Sequence, residues 1–265
     1  MARSNIIEQI KPDPQRGSGY CKAGDDTLVE LIKEVLSERP AYGYKRVTAI
    51  LKGKLKAQGL CAVNHKKVYR VMSTHKLLLQ KPKCKPLRAH TGKVATLFSN
   101  TRWCSDSFSI QCTNGELVHV AFSLDTCDRE IMKYVACTVG MNGEAIRDLM
   151  LETVEYRFRD TKVTHPVQWL SDNGSCYIAK ETVSFGKRLG LDIRTTPVRS
   201  PESNGMAEAL VKTLKRDYVW YGDLSSAECV MKQLPKWIED YNEKAPHKAL
   251  NMLSPREFIK QKRAG

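Results

Sequence analysis

The sequence predicts an α/β fold, in which a mixed sheet is flanked by helices, and a small helical unit precedes it. In residues 26–78, apolar residues recur at helical spacing. Two segments rich in apolar, aromatic and β-branched residues, 102–112 and 117–127, are joined by "TNGE", a strong hairpin signal. From residue 143 onward, helical and strand patterns alternate, which is typical of a sheet covered by helices.

Three amphipathic helices are expected first in the chain. They are "DTLVELIKEVLSE" (26–38), "YGYKRVTAILKGKL" (42–55) and "NHKKVYRVMSTHKLL" (64–78). Asn64 is the expected N-cap of the third helix. Three short helices, the last of which is basic, predict a helix-turn-helix-like DNA-binding unit. The alternative is a small helical bundle whose lysines are only exposed to solvent. The expected DNA contacts are Lys45, Arg46, Lys66, Lys67 and Arg70.

Positive charge is concentrated in the first part of the chain. The protein has 265 residues and a formal net charge of +14. Residues 39–105 contain sixteen Lys or Arg and no Asp or Glu, whereas the remaining 27 basic and 29 acidic residues nearly cancel. This segregation predicts a polyanionic partner, nucleic acid first and an anionic membrane surface second. The sequence has neither a membrane-length apolar run nor a secretory signal pattern, so a cytosolic protein is expected.

The second half of the chain begins with strands and continues with alternating strands and helices. Three antiparallel strands come first, and shorter strands then alternate with helices. The expected strands are 102–112, 117–127, 129–139, 166–174 and 192–198. The expected helices are 143–158, 179–191 and one that begins near Pro201 and Gly205.

Nine cysteines are present, an odd number without a CxxC pair. Several fall in apolar strand-like segments, so reduced and mostly buried thiols are expected. A zinc site that combines Cys84 and His90 with distant cysteines is an alternative that no spacing favours.

Two aspartates stand at positions suited to chemistry. Strand alternation puts Asp106 in a row with Cys104, Phe108 and Ile110, where an unpaired carboxylate would need a cation or hydrogen-bond donors. Asp172 follows a strand and precedes Asn173-Gly174, at the kind of strand end where α/β folds place functional groups. The alternatives are a solvated strand end for Asp106 and a simple turn residue for Asp172.

The stretch "SPESNGMAEALVKTLKR" (200–216) contains one glutamate on a basic helix face. At 100° per residue, Glu208 shares a polar face with Asn204, Lys212 and Lys215. The opposite face is apolar and consists of Met206, Leu210, Val211, Leu214 and Tyr218. Taken alone, the polar face indicates an exposed Glu–Lys pair, which contributes about 0.3–0.5 kcal/mol.

Taken together, these motifs resemble those of the OrfB-type transposases of bacterial insertion sequences, within the superfamily of DDE transposases and retroviral integrases. "YGYKRV" and "NHKKVYRVM" match the N-terminal helical region of that family, and "LDTCDRE", "WLSDNGSCY", "SPESNGMAEALVKTLKRDY", "YNEKAPHKAL" and "SPREF" match its later regions. The resemblance runs from about residue 27 to residue 260. Asn251-Met252 departs from the Gly-Tyr common in relatives. Residues 1–25 match poorly, which predicts that the chain begins part-way through a longer natural product.

The resemblance implies an RNase H-like catalytic core in which Asp106, Asp172 and Glu208 hold two Mg²⁺ or Mn²⁺ ions. It implies that water first cuts an element end and that the freed 3′-OH then attacks target DNA. Lys212, Lys215 and Asn204 would contact the DNA beside the cut. Asp125 and Asp128 are rival candidates for the first acid, and their expected role is structural, with Asp128 paired to Arg129 or a nearby base.

The expected domain organisation has five parts. These are an N-terminal segment (1–25), a helical DNA-binding domain (26–80), a basic proline-containing linker (81–96), the catalytic core (97–222) and a C-terminal helical extension (223–265). The implied partners are double-stranded DNA, further copies of the chain assembled on it, and a subunit from an upstream reading frame. The alternatives are a catalytically inactive DNA-binding derivative and a nuclease of the same fold that cuts without joining strands.

Overall fold

The protein is described here by a computed structural model. The described residues are 25–79, 96–196 and 204–264. The chain divides into two compact units, residues 1–85 and residues 86–265.

Some sequence predictions fall largely outside the described residues. This holds for most of segments 1–25 and 81–96, for Cys84 and His90 of the alternative zinc site, and for Pro201. The seven cysteines that the structure does describe are all free thiols. In the described ranges, no helix has the length and apolar character needed to cross a membrane.

In the described part of the first unit, residues 25–79, three helices surround one core. They are α1 (Asp25–Glu38), α2 (Tyr44–Ala57) and α3 (His65–Thr74). Their apolar stripes meet in a cluster that includes Ile32, Val47, Leu51, Val68 and Met72. The predicted N-cap of α3 is confirmed, because the Asn64 side chain accepts a hydrogen bond of 2.9 Å from the backbone N–H of Lys66.

The second unit is built on a five-stranded mixed sheet. Its strands are β1 (Arg102–Gln111), β2 (Leu117–Asp125), β3 (Ile131–Cys137), β4 (Val167–Ser171) and β5 (Leu191–Thr195). The spatial order is β3-β2-β1-β4-β5. Strands β1, β2 and β3 pair antiparallel, whereas β4 and β5 add in parallel on the other side of β1. The predicted hairpin, the antiparallel pairing of the first three strands and the mixed sheet are therefore confirmed, and β1 is the central strand.

Helices cover both faces of this sheet. They are α4 (Gly143–Phe158), α5 (Ser175–Ile178), α6 (Lys180–Arg188), α7 (Gly205–Asp217), α8 (Ala227–Glu243) and α9 (Pro255–Ala264). One core contains Trp103, Ile146, Leu149 and Trp169 and lies under α4. The other joins β1 and β2 to α7 and α8. The helix predicted at 143–158 is confirmed with these bounds, whereas the short helix α5 was not predicted.

The side chain of Asn242, near the end of α8, binds the backbone of the edge strand β3. Asn242 accepts a hydrogen bond of 3.0 Å from the backbone N–H of Ile131 and donates one of 2.9 Å to the carbonyl of the same residue. Asn242 is buried, so both bonds are shielded from water. The amide thus satisfies the outer edge of the sheet in the way that a neighbouring strand would.

Candidate active site

Asp106 lies on β1, and Asp172 directly follows β4, the strand that pairs with β1 in parallel. The pairing of β1 with β4 sets Arg102 beside Gln168 and Cys104 beside Leu170. The pairing ends at Cys104 and Leu170, each of which lies two residues before one of the two aspartates. Neighbouring strands lie about 4.8 Å apart, so the two carboxylates start from closely spaced backbones.

Helix α7 brings Glu208 to the same face of the sheet. Ala207, Leu210 and Leu214 of α7 are buried in the core that also contains Cys104 and Phe108 of β1. Since Asp106 lies between Cys104 and Phe108 in the inward-facing row, the helix packs over the strand segment that carries this aspartate. The predicted apolar face of the helix is confirmed by this packing.

The electrostatics of Asp106 reflect both other acids. Partial burial is the largest cause that raises the pKa of Asp106, to about 6. A hydrogen bond of 2.8 Å from the backbone N–H of Ser107 acts in the opposite direction, and the charges of Asp172 and Glu208 raise the pKa further. Like charges act this way only when they are near one another. The charges of Asp172 and Glu208 therefore both contribute to the raised pKa of Asp106.

Each of the other two acids has a local partner. Asp172 Oδ1 accepts a hydrogen bond of 3.0 Å from the backbone N–H of Gly174, and Glu208 Oε2 lies 3.1 Å from Lys212 Nζ. Among the described residues, no three Asp, Glu, His or Cys side chains are close enough to form a ready metal-binding group. The donor set fits hard divalent cations nevertheless, because it consists of carboxylate oxygens alone.

Of the predicted DNA contacts in and beside α7, Lys212 is exposed, Lys215 is half-buried and Asn204 is buried. Lys212 is largely exposed, and Lys215 Nζ lies 5.7 Å from the centre of the Phe108 ring. Asn204 is only 6% exposed, so its assignment to an exposed polar face was wrong. The reason is that α7 begins at Gly205, where the chain turns onto the sheet, and a helical projection does not apply to the residue before it. The Asn204 side chain donates a hydrogen bond of 3.4 Å to the carbonyl of Ser105.

Asp125 and Asp128 belong to a buried ionic cluster and not to the proposed site. Both side chains are fully buried, and Arg157 of α4 donates to both carboxylate oxygens of Asp128 at 3.1 Å. Arg157 also lies 3.1 Å from Glu130. The suggested pair of Asp128 with Arg129 was wrong, because the arginine on the facing helix supplies the positive charge. The alternative suggestion, a nearby base, is correct.

Two buried hydroxyl groups beside the acids were missed from the sequence. Ser105 precedes Asp106 on β1, and Tyr177 lies in α5, shortly after Asp172. Their oxygens are 2.9 Å apart, and both residues are almost inaccessible to solvent. A serine and a tyrosine 72 positions apart give no pattern from which this contact could be predicted.

In the helical unit, the basic residues of α3 divide into paired and exposed groups. Asp25, buried at the start of α1, lies 2.7 Å from Arg70 and 3.6 Å from Lys67. These two predicted DNA contacts therefore also hold α3 against α1. Lys66 is exposed, and no ion pair of its side chain is found among the described residues.

Aromatic rings accompany the basic residues of α2. The Arg46 guanidinium lies 3.6 Å from the centre of the Tyr42 ring, so this predicted DNA contact packs against the protein. Lys45 is exposed near the Tyr44 ring, which meets Tyr69 of α3 edge to face at 5.0 Å. Among the predicted contacts of the helical unit, Lys45 and Lys66 are thus the exposed ones that pair with neither Asp25 nor the Tyr42 ring.

Family models match nearly the whole described chain. An HTH-like domain matches residues 23–85, and two models described as integrase core domain match residues 98–201 and residues 189–255.

Sequence and structure comparisons point the same way. The chain is 49% identical over 241 residues to the transposase InsD for insertion element IS2A/D/F/H/I/K of Escherichia coli, covering 90% of this chain and 80% of that protein. The InsD transposase for element IS2-9 of strain K12 is equally identical, with 78% of its length covered. The fold is shared with a chain of the simian T-cell lymphotropic virus intasome in complex with PP2A regulatory subunit B56 gamma. The match has 16% identity and a TM-score of 0.51, and it covers 80% of this chain and 73% of that one. The RNase H-like core and the helix-turn-helix-like domain expected from the sequence are both confirmed.

Proposed function

The chain belongs to the family of insertion-element transposases with an integrase core domain, and from this premise we propose that Asp106, Asp172 and Glu208 form its catalytic centre. The observation that carries the proposal is the meeting of two strands and one helix. Asp106 and Asp172 each lie two residues beyond the last pair that joins β1 to β4, and α7 packs its apolar face against β1. Burial first, and then the charges of Asp172 and Glu208, raise the pKa of Asp106, and a bound cation would offset both effects.

The chemistry that this centre would perform is phosphodiester transfer on DNA. We propose that the three carboxylates hold two divalent cations, Mg²⁺ or Mn²⁺, whose ligands of choice are oxygen atoms. When bound, such ions supply the charge that activates the attacking oxygen and stabilises the leaving 3′ oxygen. Water attacks first, at an element end, and the liberated 3′-OH then attacks target DNA. No covalent bond between protein and DNA is required.

The chain's own residues have distinct parts in this reaction. Asp106 and Asp172 are fixed by a shared sheet, so they provide the rigid side of the centre. Glu208 is the adjustable member, since it pairs with Lys212 on an exposed helix face. When Glu208 turns toward the cations, Lys212 is released to bind a DNA phosphate. Lys215, one turn further along, would contact the next part of the backbone.

The helical unit would supply affinity for the element ends. Its exposed Lys45 and Lys66 are suited to phosphate contacts, which dominate protein–DNA affinity. Further phosphate contacts would come from Arg46, Lys67 and Arg70 when these side chains leave their partners within the protein. We further propose that several copies of the chain assemble on DNA in the bacterial cytoplasm, together with a subunit from the upstream reading frame.

The test is a cleavage and joining assay with the full chain and Mn²⁺. Labelled duplex carrying the terminal sequence of the encoding element is incubated with a supercoiled plasmid, and nicked ends and joined products are separated on a gel. Wild-type protein is expected to give both products, and Asp106→Asn neither, with DNA binding retained. Cleavage by Asp106→Asn would overturn the assignment of the acids. Cleavage without joining by wild-type protein would reduce the activity to that of a nuclease.

A further inference from the structure

Ser105 contacts both of the chain segments that carry the other two acids. It immediately precedes Asp106 on β1, its side chain contacts the segment of Asp172, and its carbonyl contacts the segment of Glu208. We propose, on the basis of the proposed function, that Ser105 is a positioning residue that sets the spacing of the three carboxylates and hence their affinity for divalent cations.

The side-chain contact reaches the Asp172 segment through Tyr177. The Ser105 and Tyr177 hydroxyl oxygens are 2.9 Å apart, and the two residues are 0% and 2% exposed. Water therefore does not compete for this hydrogen bond, and losing either hydroxyl leaves the other without its partner.

The turn between Asp172 and Tyr177 is compact enough to transmit this contact. A Cβ added to Gly174 would lie 3.0 Å from Asp172 Oδ1 and 3.4 Å from a carbon of the Tyr177 ring. The backbone N–H of Gly174 also donates to Asp172 Oδ1. The Tyr177 ring and the Asp172 carboxylate thus both flank Gly174, so we expect a displacement of the ring to shift the carboxylate.

The main-chain contact reaches the Glu208 segment through Asn204. The Asn204 amide nitrogen lies 3.4 Å from the Ser105 carbonyl oxygen, and Gly205, the next residue, begins α7. Glu208 follows one helical turn after Asn204. The other side-chain atom of Asn204, Oδ1, is buried without a hydrogen-bond partner among the described residues. Burying an amide oxygen without a hydrogen bond costs free energy. The fold accepts this cost at Asn204, where the amide nitrogen contacts the Ser105 carbonyl.

Residues of this kind act on a metal site through the ligands that they orient. Partners outside the ligand set typically alter metal affinity or activity by about 10–100-fold when they are mutated. Ser105 orients Asp106 through the chain and the other two acids through Tyr177 and Asn204. Its loss is therefore expected to weaken cation binding without removing any ligand.

The test is a titration of the full chain with Mn²⁺, with free Mn²⁺ measured by electron paramagnetic resonance. Ser105→Ala and Tyr177→Phe are each expected to raise the Mn²⁺ dissociation constant by about 10-fold. The double variant is expected to show little further loss, because both changes remove one hydrogen bond. Tyr177→Phe keeps the buried ring, so it reports on the contact even where Ser105→Ala fails to fold.

Ser123 provides a matched control. It lies opposite Ser105 on β2, is equally buried, and its hydroxyl is 2.7 Å from that of Thr153, on a helix that carries none of the three acids. Ser123→Ala is expected to lower thermal stability and leave Mn²⁺ affinity unchanged. An equal loss of affinity in Ser123→Ala and Ser105→Ala would reduce Ser105 to a structural role.

A further variant separates this inference from the function on which it depends. Asp106→Asn is expected to lose tight Mn²⁺ binding. If Asp106→Asn binds as wild type, the proposed function itself fails. If Asp106→Asn loses binding while Ser105→Ala and Tyr177→Phe bind as wild type, only the role of Ser105 is overturned.

Discussion

Glu208 and Lys212 form an ion pair on α7, with Oε2 of the glutamate 3.1 Å from Nζ of the lysine. Both side chains are substantially exposed, and exposed pairs of this spacing contribute only about 0.3–0.5 kcal/mol. Such a pair exchanges partners readily. Helix α8 carries the same arrangement in Glu228 and Lys232, 20 positions after the proposed catalytic glutamate. The two pairs allow matched comparisons.

Glu208→Gln is expected to abolish cleavage and joining while leaving DNA binding and folding intact. The substitution keeps the shape of the side chain but removes the negative charge that would bind a cation. Cleavage is measured on labelled element ends, binding by fluorescence anisotropy on the same duplex. Glu228→Gln, the matched control, is expected to retain activity. Equal loss of binding in Glu208→Gln would show that Glu208 is needed for folding and not for chemistry.

Lys212→Gln is expected to weaken binding to duplex DNA at every sequence tested. One lost phosphate contact lowers the slope of log affinity against log salt concentration by about 1. The measurement is anisotropy over a series of NaCl concentrations, with Lys232→Gln as the control that keeps the wild-type slope. An unchanged slope in Lys212→Gln would exclude Lys212 from the DNA contact.

Asp25→Asn is expected to lower the free energy of unfolding of the helical unit by about 1–3 kcal/mol. The buried carboxylate bonds Arg70 at 2.7 Å, and hydrogen bonds to charged groups contribute more than neutral ones. Hydrogen exchange of α3 measures the loss. Asp26→Asn, at the exposed neighbouring position, is expected to change little. Unchanged protection of α3 in Asp25→Asn would refute a structural role for the pair.

Asp125 is expected to make stability depend on pH. Burial first, and then the charge of Asp128, raise the pKa of Asp125 from 3.8 to about 6, although Arg157 and the backbone N–H groups of Asn100 and Cys127 act against this. An acid whose pKa is raised by folding stabilises the native state fully below about pH 4, and this contribution is lost as the pH rises through about 6.

The comparison of wild type with Asp125→Asn isolates this contribution, because the variant cannot titrate at this position. Between pH 4 and pH 7, the stability of wild type is expected to fall relative to the variant by about 1–3 kcal/mol, from a shift of about two pKa units reduced by the coupling to Asp128 and Arg157. Urea denaturation at several pH values measures the difference. A difference that stays constant with pH would contradict the raised pKa.

Local patterns were sufficient to predict most elements of the second unit. Helical spacing placed α4 correctly, and the "TNGE" turn placed the β1–β2 hairpin, because both signals depend on residues close in the chain. The third strand was predicted as 129–139 but spans Ile131–Cys137, since Arg129 has a positive φ and belongs to a turn. The short helix α5 was missed because four residues give no periodic pattern.

Contacts between distant residues could not be predicted in the same way. The pairing of Arg70 with Asp25 joins two helices 45 positions apart, and that of Asp128 with Arg157 depends on how α4 packs on the sheet. For the candidate site, family motifs gave the three acids but not the bond between Ser105 and Tyr177. Neutral buried residues carry no charge pattern that marks them as partners.

The amide of Asn242 has a consequence for shortened copies of the gene. A stop codon or frameshift ahead of position 242 would remove the group that caps the open edge of β3 at Ile131, together with much of the apolar side of α8. The product would expose an unpaired strand edge and be prone to aggregation and proteolysis. Truncated element copies should therefore yield little protein, and so should not act as dominant inhibitors of intact ones.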